Sequence, residues 1–352
     1  MNLSEIFAAP HTDAIAPFAF PAALTLPAAH AAPAASAPPP AYMAITLPTT
    51  PARLAQAALL ALIAVAALAM LWLMRREAAR LTLETISLAD AAPRPAAGPE
   101  AGHGALAPGS GGDFAGGGGL RIVHISDIHL KLLRIPLPAI TEAMRRAAPD
   151  VVMLTGDYLC SPKDAAPFLE WISALTDEFA GADFFLCFGN HDFKAFKDDG
   201  AGLAAYEKEL EKRRVAVLEN KTAVFTRNGS LYSVTGFRDL SREPVNPTPA
   251  YVGVPDGARF RIGITHNPDL ALSLRPESLD LLLCGHFHGG QIWLPFNIQY
   301  TCLRGEKLCR IGVCKGLHDL GGLRVYISRG LGCVLFPLRF RAKPEIALIV
   351  VP

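Results

Sequence analysis

Beyond residue 120 of this 352-residue chain, five short apolar runs each end in residues that can ligate a metal or move a proton. Arg121–Ile125 is followed by Ser126-Asp127-Ile128-His129, and Val151–Thr155 by Gly156-Asp157. Phe184–Phe188 leads into Gly189-Asn190-His191-Asp192, Arg261–Thr265 into His266-Asn267, and Leu279–Cys284 into Gly285-His286-Phe287-His288. Apolar runs of this length, bounded by glycine and polar residues, read as buried strands. Open α/β sheets bind ligands outside the carboxyl ends of their strands. The chain is thereby constrained to a fold that brings these five ends together.

Two aspartates, one asparagine and five histidines make a mixed nitrogen and oxygen donor set. Such a set suits Mn, Fe, Zn, Ni or Co rather than Ca or Cu(I). The i, i+2 spacing of Asp127 with His129, and of His286 with His288, lets both side chains of a pair face one cavity. Glycines 156, 189 and 285 permit close backbone approach or unusual dihedrals. Taken singly, each position has a plainer reading. An aspartate after a strand is most often a turn or cap residue, and a lone histidine such as His124, inside its strand, is most often packed. Five strand ends carrying ligand-type residues together argue for chemistry.

Leu137–Ala147 and Ala165–Phe179 read as helices between the first strands, which implies parallel pairing there. Further strands are expected at Val215–Leu218, Ala223–Thr226, Leu231–Thr235, Val325–Ser328 and Ile346–Val351, where their close succession suggests antiparallel additions. Residues 120–352 thus form one α/β body.

The whole chain is 51% hydrophobic and 18% charged, with mean hydropathy +0.28. That is more apolar than an average soluble domain, and the excess lies before Gly119. Residues 1–51 are rich in Ala and Pro, with Pro38 to Pro40 consecutive, and read as disordered. Ala29-His30-Ala31 resembles a cleavage site, but no basic segment precedes it. Residues 52–76 read as one transmembrane helix with its flanks: residues 57–74 carry no charge, and Trp72 sits near one end. Arg75, Arg76 and Arg80 follow the span while only Arg53 precedes it, which puts the C-terminal body in the cytoplasm. Residues 77–119 read as a membrane-proximal segment and a flexible Pro/Ala/Gly linker, ending in Gly116 to Gly119.

Of the 33 basic and 32 acidic residues, 28 and 25 lie beyond Gly119, an ordinary soluble charge content. A net charge of +1 argues against a nucleic-acid polymer as partner. The seven cysteines include no C-x-x-C pair. Cys302, Cys309, Cys314 and His318 admit a structural zinc, a disulfide or incidental thiols, and a cytoplasmic body favours the last.

The motifs SDIHL, LTGDY, FGNHDF, THNPD and CGHFHGGQ, in this order, resemble those of the calcineurin-like metallophosphoesterase superfamily across Leu120–Pro352. GHFHGGQIWLP and SRGLGCVLFPLRFRAKPEI are similar to its bacterial membrane-associated branch, which includes cell-envelope enzymes and UDP-diacylglucosamine hydrolases. The resemblance implies a four-layer αββα sandwich with two divalent transition-metal ions between the sheets. One ion would take Asp127, His129 and His288, and the other Asn190, His266 and His286. Asp157 would bridge them. A metal-activated hydroxide would attack a phosphoester or pyrophosphate. His191 would stabilise the transition state or protonate the leaving oxygen. Asp192 would orient His191, support the ligand shell or cap a helix.

Lys194 and Arg329 are candidates for substrate phosphate. Arg339 and Arg341 read as a basic surface that a lipid headgroup could also meet. The expected protein is a single-pass enzyme of the bacterial inner membrane acting on a phosphorylated small molecule or lipid. A tethered nucleotide or general phosphodiesterase, and a catalytically silent scaffold, are the alternatives.

Overall fold

The computed structural model describes residues 50–88, 104–105, 119–197, 199–240, 257–301 and 304–352. The expected disordered segment and most of the expected linker lie outside these residues. The uncharged stretch forms one continuous helix, α1 (Pro51–Glu77), with no buried residue. Pro51 occupies the first turn, where a missing N–H leaves no bond unmade. At 27 residues, α1 exceeds the roughly 20 needed to cross a hydrocarbon core. Its last turns, from Met70 onward, belong to the same compact unit as the rest of the chain.

The strands, in chain order, begin with β1 (Thr82–Ser87), β2 (Gly104–Ala105), β3 (Leu120–Ile125), β4 (Val151–Thr155), β5 (Asp183–Cys187) and β6 (Val215–Val217). They continue with β7 (Lys221–Arg227), β8 (Ser230–Gly236), β9 (Phe260–Ile264), β10 (Leu281–Cys284), β11 (Gly316–Leu320), β12 (Leu323–Ile327) and β13 (Glu345–Val351). Helices α2 (Leu137–Ala147), α3 (Ala165–Glu178), α4 (Asn190–Ala195), α5 (Gly200–Glu211), α6 (Ile298–Thr301) and α7 (Lys307–Arg310) connect them.

Two sheets result, ordered β1-β13-β3-β4-β5-β6 and β2-β11-β12-β10-β9-β8-β7. Their inner faces share one apolar core. Leu120, Ile122, Val151, Met153, Phe185 and Cys187 come from the first sheet, and Val234, Ile262, Ile264, Leu281, Leu283 and Tyr326 from the second. Alternate residues of the same strands, such as Leu282, Cys284, Val325 and Ile327, face a second cluster with Leu270, Leu308 and Tyr300. This period of two is what a strand covered on both faces requires. Helix α2 is strongly amphipathic and buries Ile140, Ala143, Met144 and Ala147 at i, i+3, i+4 and i+7.

Two expectations change. Within the expected membrane-proximal segment, residues 82–87 form a strand: β1 pairs in parallel with β13 along all six residues, so the sheet takes in residues before 120. The second sheet is also less antiparallel than its short strands suggested. Its centre, β8-β9-β10-β12, is parallel, which requires each connection to cross over rather than turn straight back as a hairpin.

Candidate metal centre

Every strand end singled out above converges on one cleft between the sheets. Two clusters form there: Asp127, His129 and His288, and Asp157, His266 and His286, with potential ligand atoms within 4.8 Å of one another in each. Asp157 Oδ2 lies 3.1 Å from His266 Nε2 and 3.5 Å from His129 Nε2, so one carboxylate faces both clusters. Asp127 Oδ1 is 3.2 Å from His288 Nε2.

The backbone is strained at this spot. Asp127, His129, Asp157, His286 and His288 all have φ between 39° and 73°. Each such residue costs on the order of 1–2 kcal/mol, and strain of this kind collects at functional sites. Gly189 and Gly285 allow the close approaches: a Cβ at Gly189 would collide with Asp157, and one at Gly285 with Ser126 and Asp127.

Hydrogen bonds assign the ring tautomers. His266 Nδ1 lies 2.8 Å from the carbonyl of Thr155, which can only accept, so Nδ1 carries the proton. His286 Nε2 donates to Glu306 Oε1 at 2.6 Å. The remaining atoms, His266 Nε2 and His286 Nδ1, are 3.1 Å apart and beside Asp157. Three ligand-type atoms thus converge on one point beside a buried carboxylate, where a cation is stabilised, either a metal ion or the proton that Asp157 draws onto His266. Burial resists charging His266, but the Asp157 carboxylate outweighs it and raises this histidine to about 10. Asn190 Oδ1, His129 Nε2 and His288 Nδ1 are likewise buried without a hydrogen-bond partner among the described residues. Orphaned buried acceptors are costly unless something neutralises them. The donor set therefore fits divalent metal ions.

The surrounding residues have distinct tasks. His191 lines the cavity, its ring 4.9 Å from His129 and edge-on, while its backbone N–H donates to Asp157 Oδ1 at 2.8 Å. Asp192 is fully buried and accepts from the backbone N–H groups of Asp157, Tyr158, Leu159 and Gly189 at 2.8–3.1 Å. A carboxylate occupied in this way fastens the Gly156-Asp157 loop. It stands at the third position of α4, where it also caps the helix by accepting from the N–H of Gly189, the residue before the first turn. His124 is packed as expected, bonded to Thr155 Oγ1 at 2.7 Å, and burial depresses it to about 3.

Other candidates sit differently from expectation. Arg329 is held by Glu84 at 2.6 Å and Glu345 at 2.7 Å, so its charge is spent on the sheet edge rather than on the cavity. Lys194 is exposed beside His191 and outside the cavity lining. Arg339 is no basic surface: it is 0% exposed, and its guanidinium donates to the carbonyls of Arg329, Gly330, Gly332 and Ala342. Cys309 and Cys314 are free thiols, Cys302 lies outside the described residues, and His318 is bonded to the carbonyl of Lys315.

Two lining residues had no part in the sequence reading. Glu306 holds His286, and Arg304 bonds the His286 carbonyl at 3.0 Å and lies 3.4 Å from Glu306. Their signal is weak: they are among the first charges after the uncharged stretch 289–303. The cavity, about 630 Å³, is also lined by the apolar Ile292, Leu294, Val334 and Leu335.

Comparison with known proteins agrees with this geometry. Residues 120–290 match the family model described as calcineurin-like phosphoesterase. The chain is 30% identical over 236 residues to the uncharacterized metallophosphoesterase YkuE of Bacillus subtilis, covering 65% of this chain and 78% of that protein. It is 29% identical over 237 residues to the phosphodiesterase YaeI of Escherichia coli, covering 65% and 81%. It is 25% identical over 279 residues to the UDP-2,3-diacylglucosamine pyrophosphatase LpxG of Chlamydia trachomatis, covering 66% and 83%. The chain belongs to the calcineurin-like phosphoesterase family and is a metal-dependent phosphoester hydrolase.

Proposed function

We propose that the protein is a membrane-anchored hydrolase with a dinuclear metal centre, acting on the phosphoester or pyrophosphate of an amphiphilic envelope substrate. The observation that carries this reading is the mixed lining of the cavity. Metal-type ligands line it together with Ile292, Leu294, Val334 and Leu335. A substrate that joins a phosphate to a hydrocarbon matches both kinds of lining at once. The length and apolarity of α1, and the similarity to LpxG, point the same way.

Asp127, His129 and His288 would hold one ion, Asn190, His266 and His286 the other, with Asp157 shared. Two ions bound there supply a water that is acidic near neutral pH and charge to balance the phosphoryl oxygens. The protein's own groups do the rest. Glu306 fixes the His286 ring so that its Nδ1 faces the centre. Arg304 brings a fixed positive charge to the cavity wall, a role earlier expected of Arg329. His191, half-buried and pointing into the cavity, is placed to protonate a leaving oxygen. The three arginines that follow the span support a body on the cytoplasmic face of the bacterial inner membrane.

A screen of the full chain settles the substrate class. Chelated protein resupplied with Mn, Fe, Zn, Ni or Co is tested on UDP-linked lipids, phosphatidyl lipids, cyclic nucleotides and aryl phosphates. Preference for the lipid-linked compounds supports the reading. Equal or better turnover of cyclic nucleotides or aryl diesters makes the protein a tethered general phosphodiesterase, the reading favoured by its similarity to YaeI. A reporter fused after Pro352 tests orientation, and a periplasmic signal would overturn it.

A further inference from the structure

We propose that the loops 291–298 and 334–341 form one apolar wedge that inserts into a phospholipid bilayer and holds the cavity mouth at the headgroup level. The inference rests on the reading that α1 spans a membrane. It goes further by assigning a second, separate membrane contact to the catalytic body.

Phe296 is 92% exposed, Leu335 80% and Phe336 64%. Large apolar side chains held in water are a clustered liability unless a partner covers them. Phe296 and Leu335 also have φ of 57° and 63°, in the left-handed region that bulky residues avoid. The fold therefore holds these two apolar residues out of the core at a cost in backbone strain.

The loops are joined by hydrogen bonds. Phe340 N donates to Gln291 O at 2.8 Å, and Trp293 N to Phe340 O at 3.1 Å. The Gln291 side chain clamps the other loop, accepting from Val334 N at 2.7 Å and donating to Val334 O at 3.0 Å and Phe336 O at 3.3 Å. Leu294 and Leu335, one from each loop, line the cavity.

The occupant follows from what the wedge is tied to. Arg339 N, three residues after Phe336, donates to Met74 O at 3.1 Å, and Ala342 N donates to Glu77 Oε1 at 2.9 Å. Met74 and Glu77 lie in the last turns of α1, just past Trp72, whose ring carries the Arg76 guanidinium at 4.6 Å. A tryptophan and arginines at the end of an apolar helix mark the lipid headgroup zone. Arg341 and Lys343 are exposed on the same loop, and Arg75 and Arg76 on the helix end. Apolar tips flanked by cations suit a surface of hydrocarbon beneath phosphates. A purely apolar protein partner would leave those cations unmatched.

The test uses the full chain in nanodiscs of phosphatidylcholine and phosphatidylglycerol. Phe336→Trp and Phe296→Trp are compared with wild type by the added emission. With lipids brominated near the headgroup end of the acyl chain, that emission is expected to be blue-shifted and strongly quenched. Trp72, read as the quenching lost on Trp72→Phe because Trp171 and Trp293 also emit, serves as control: quenching there with an unquenched, solvent-like residue at 336 and 296 overturns the wedge and leaves the spanning helix intact. An unquenched Trp72 overturns the spanning reading itself. Shielding that appears without lipid quenching, and depends on protein concentration, assigns the surface to a second copy and also overturns the proposal. As a second arm, Phe336→Asp should lower hydrolysis of a disc-embedded phosphate substrate roughly tenfold, the cost of losing one buried aromatic. Turnover of a soluble aryl phosphodiester should hold. An equal fall in both would make Phe336 a structural residue and overturn the assignment.

Discussion

Asp127, His129 and His288 are 0, 1 and 2% exposed, whereas His286 in the neighbouring cluster keeps 15% and leans on Glu306 from 20 residues further along. The first cluster is walled in by strand ends, by the Ser126 hydroxyl on Asp127 at 2.7 Å, and by the loop that Arg339 fastens. The second borrows its orientation from a connecting segment on the rim of the cavity. A ligand set sealed by the core exchanges its ion only when the core opens, while one completed by a loop exchanges when the loop moves. The two halves of the centre should therefore differ in how readily they lose metal.

Four measurements can break or sharpen that contrast. Asp157 is the residue common to both halves, so Asp157→Ala should cost about 10³-fold or more in turnover and lower the bound metal of both, read by elemental analysis. Wild-type turnover would remove the basis for a shared centre. His191→Ala should lower kcat by about 10²–10⁴-fold with metal content unchanged. If metal were lost as well, His191 would belong to the ligand shell instead. Glu306→Gln should weaken metal at the second cluster by about 10–100-fold, the usual effect of removing a carboxylate behind a ligating histidine. The first ion should stay in place through the same dialysis, and equal loss of both would erase the asymmetry.

The smallest effect concerns Glu219, whose Oε1 accepts from Phe188 N at 2.8 Å just before the Gly189-Asn190 turn. Burial of its carboxyl raises this group from 4.5 to about 8. The folded form thus holds the proton more tightly than the unfolded chain does. Its contribution to stability is complete below about 4.5 and is lost as pH rises toward 8. Glu219→Gln should escape that loss, on the order of a few kcal/mol. Its melting temperature relative to wild type should climb between those pH values in paired melts. A constant difference would show the carboxyl to be solvated.

The site was legible in the sequence where its residues are local to a strand end. Asp127, His129, Asp157, Asn190, His266, His286 and His288 all follow apolar runs, and the register of parallel strands carries them to one edge without further information. What acts across distance was not legible. Glu306 and Arg304 belong to no regular element in the sequence pattern and reach the centre only through the path of the chain after His288. Arg339 lies in a run of basic residues that looks like solvated surface, and only the folded loop shows five carbonyl-lined directions around its planar head. β1, in the membrane-proximal segment, was not read as a strand because Thr-Leu-Glu-Thr-Ile-Ser alternates weakly, as an edge strand with one partner does. Arg329 looked like a phosphate ligand because β1, which supplies Glu84, was not yet in place.

The position of β1 has one more consequence. Only residues 78–81 separate α1 from a strand already stitched into the sheet. The Gly-rich residues 89–118 come after that stitch in the chain, so they do not separate α1 from the strand. With so few residues between helix and strand, an enzyme held in a membrane by α1, as proposed, would sample molecules per unit area of that membrane. Its rate would follow the surface density of substrate, and diluting the surrounding solution would leave that rate unchanged.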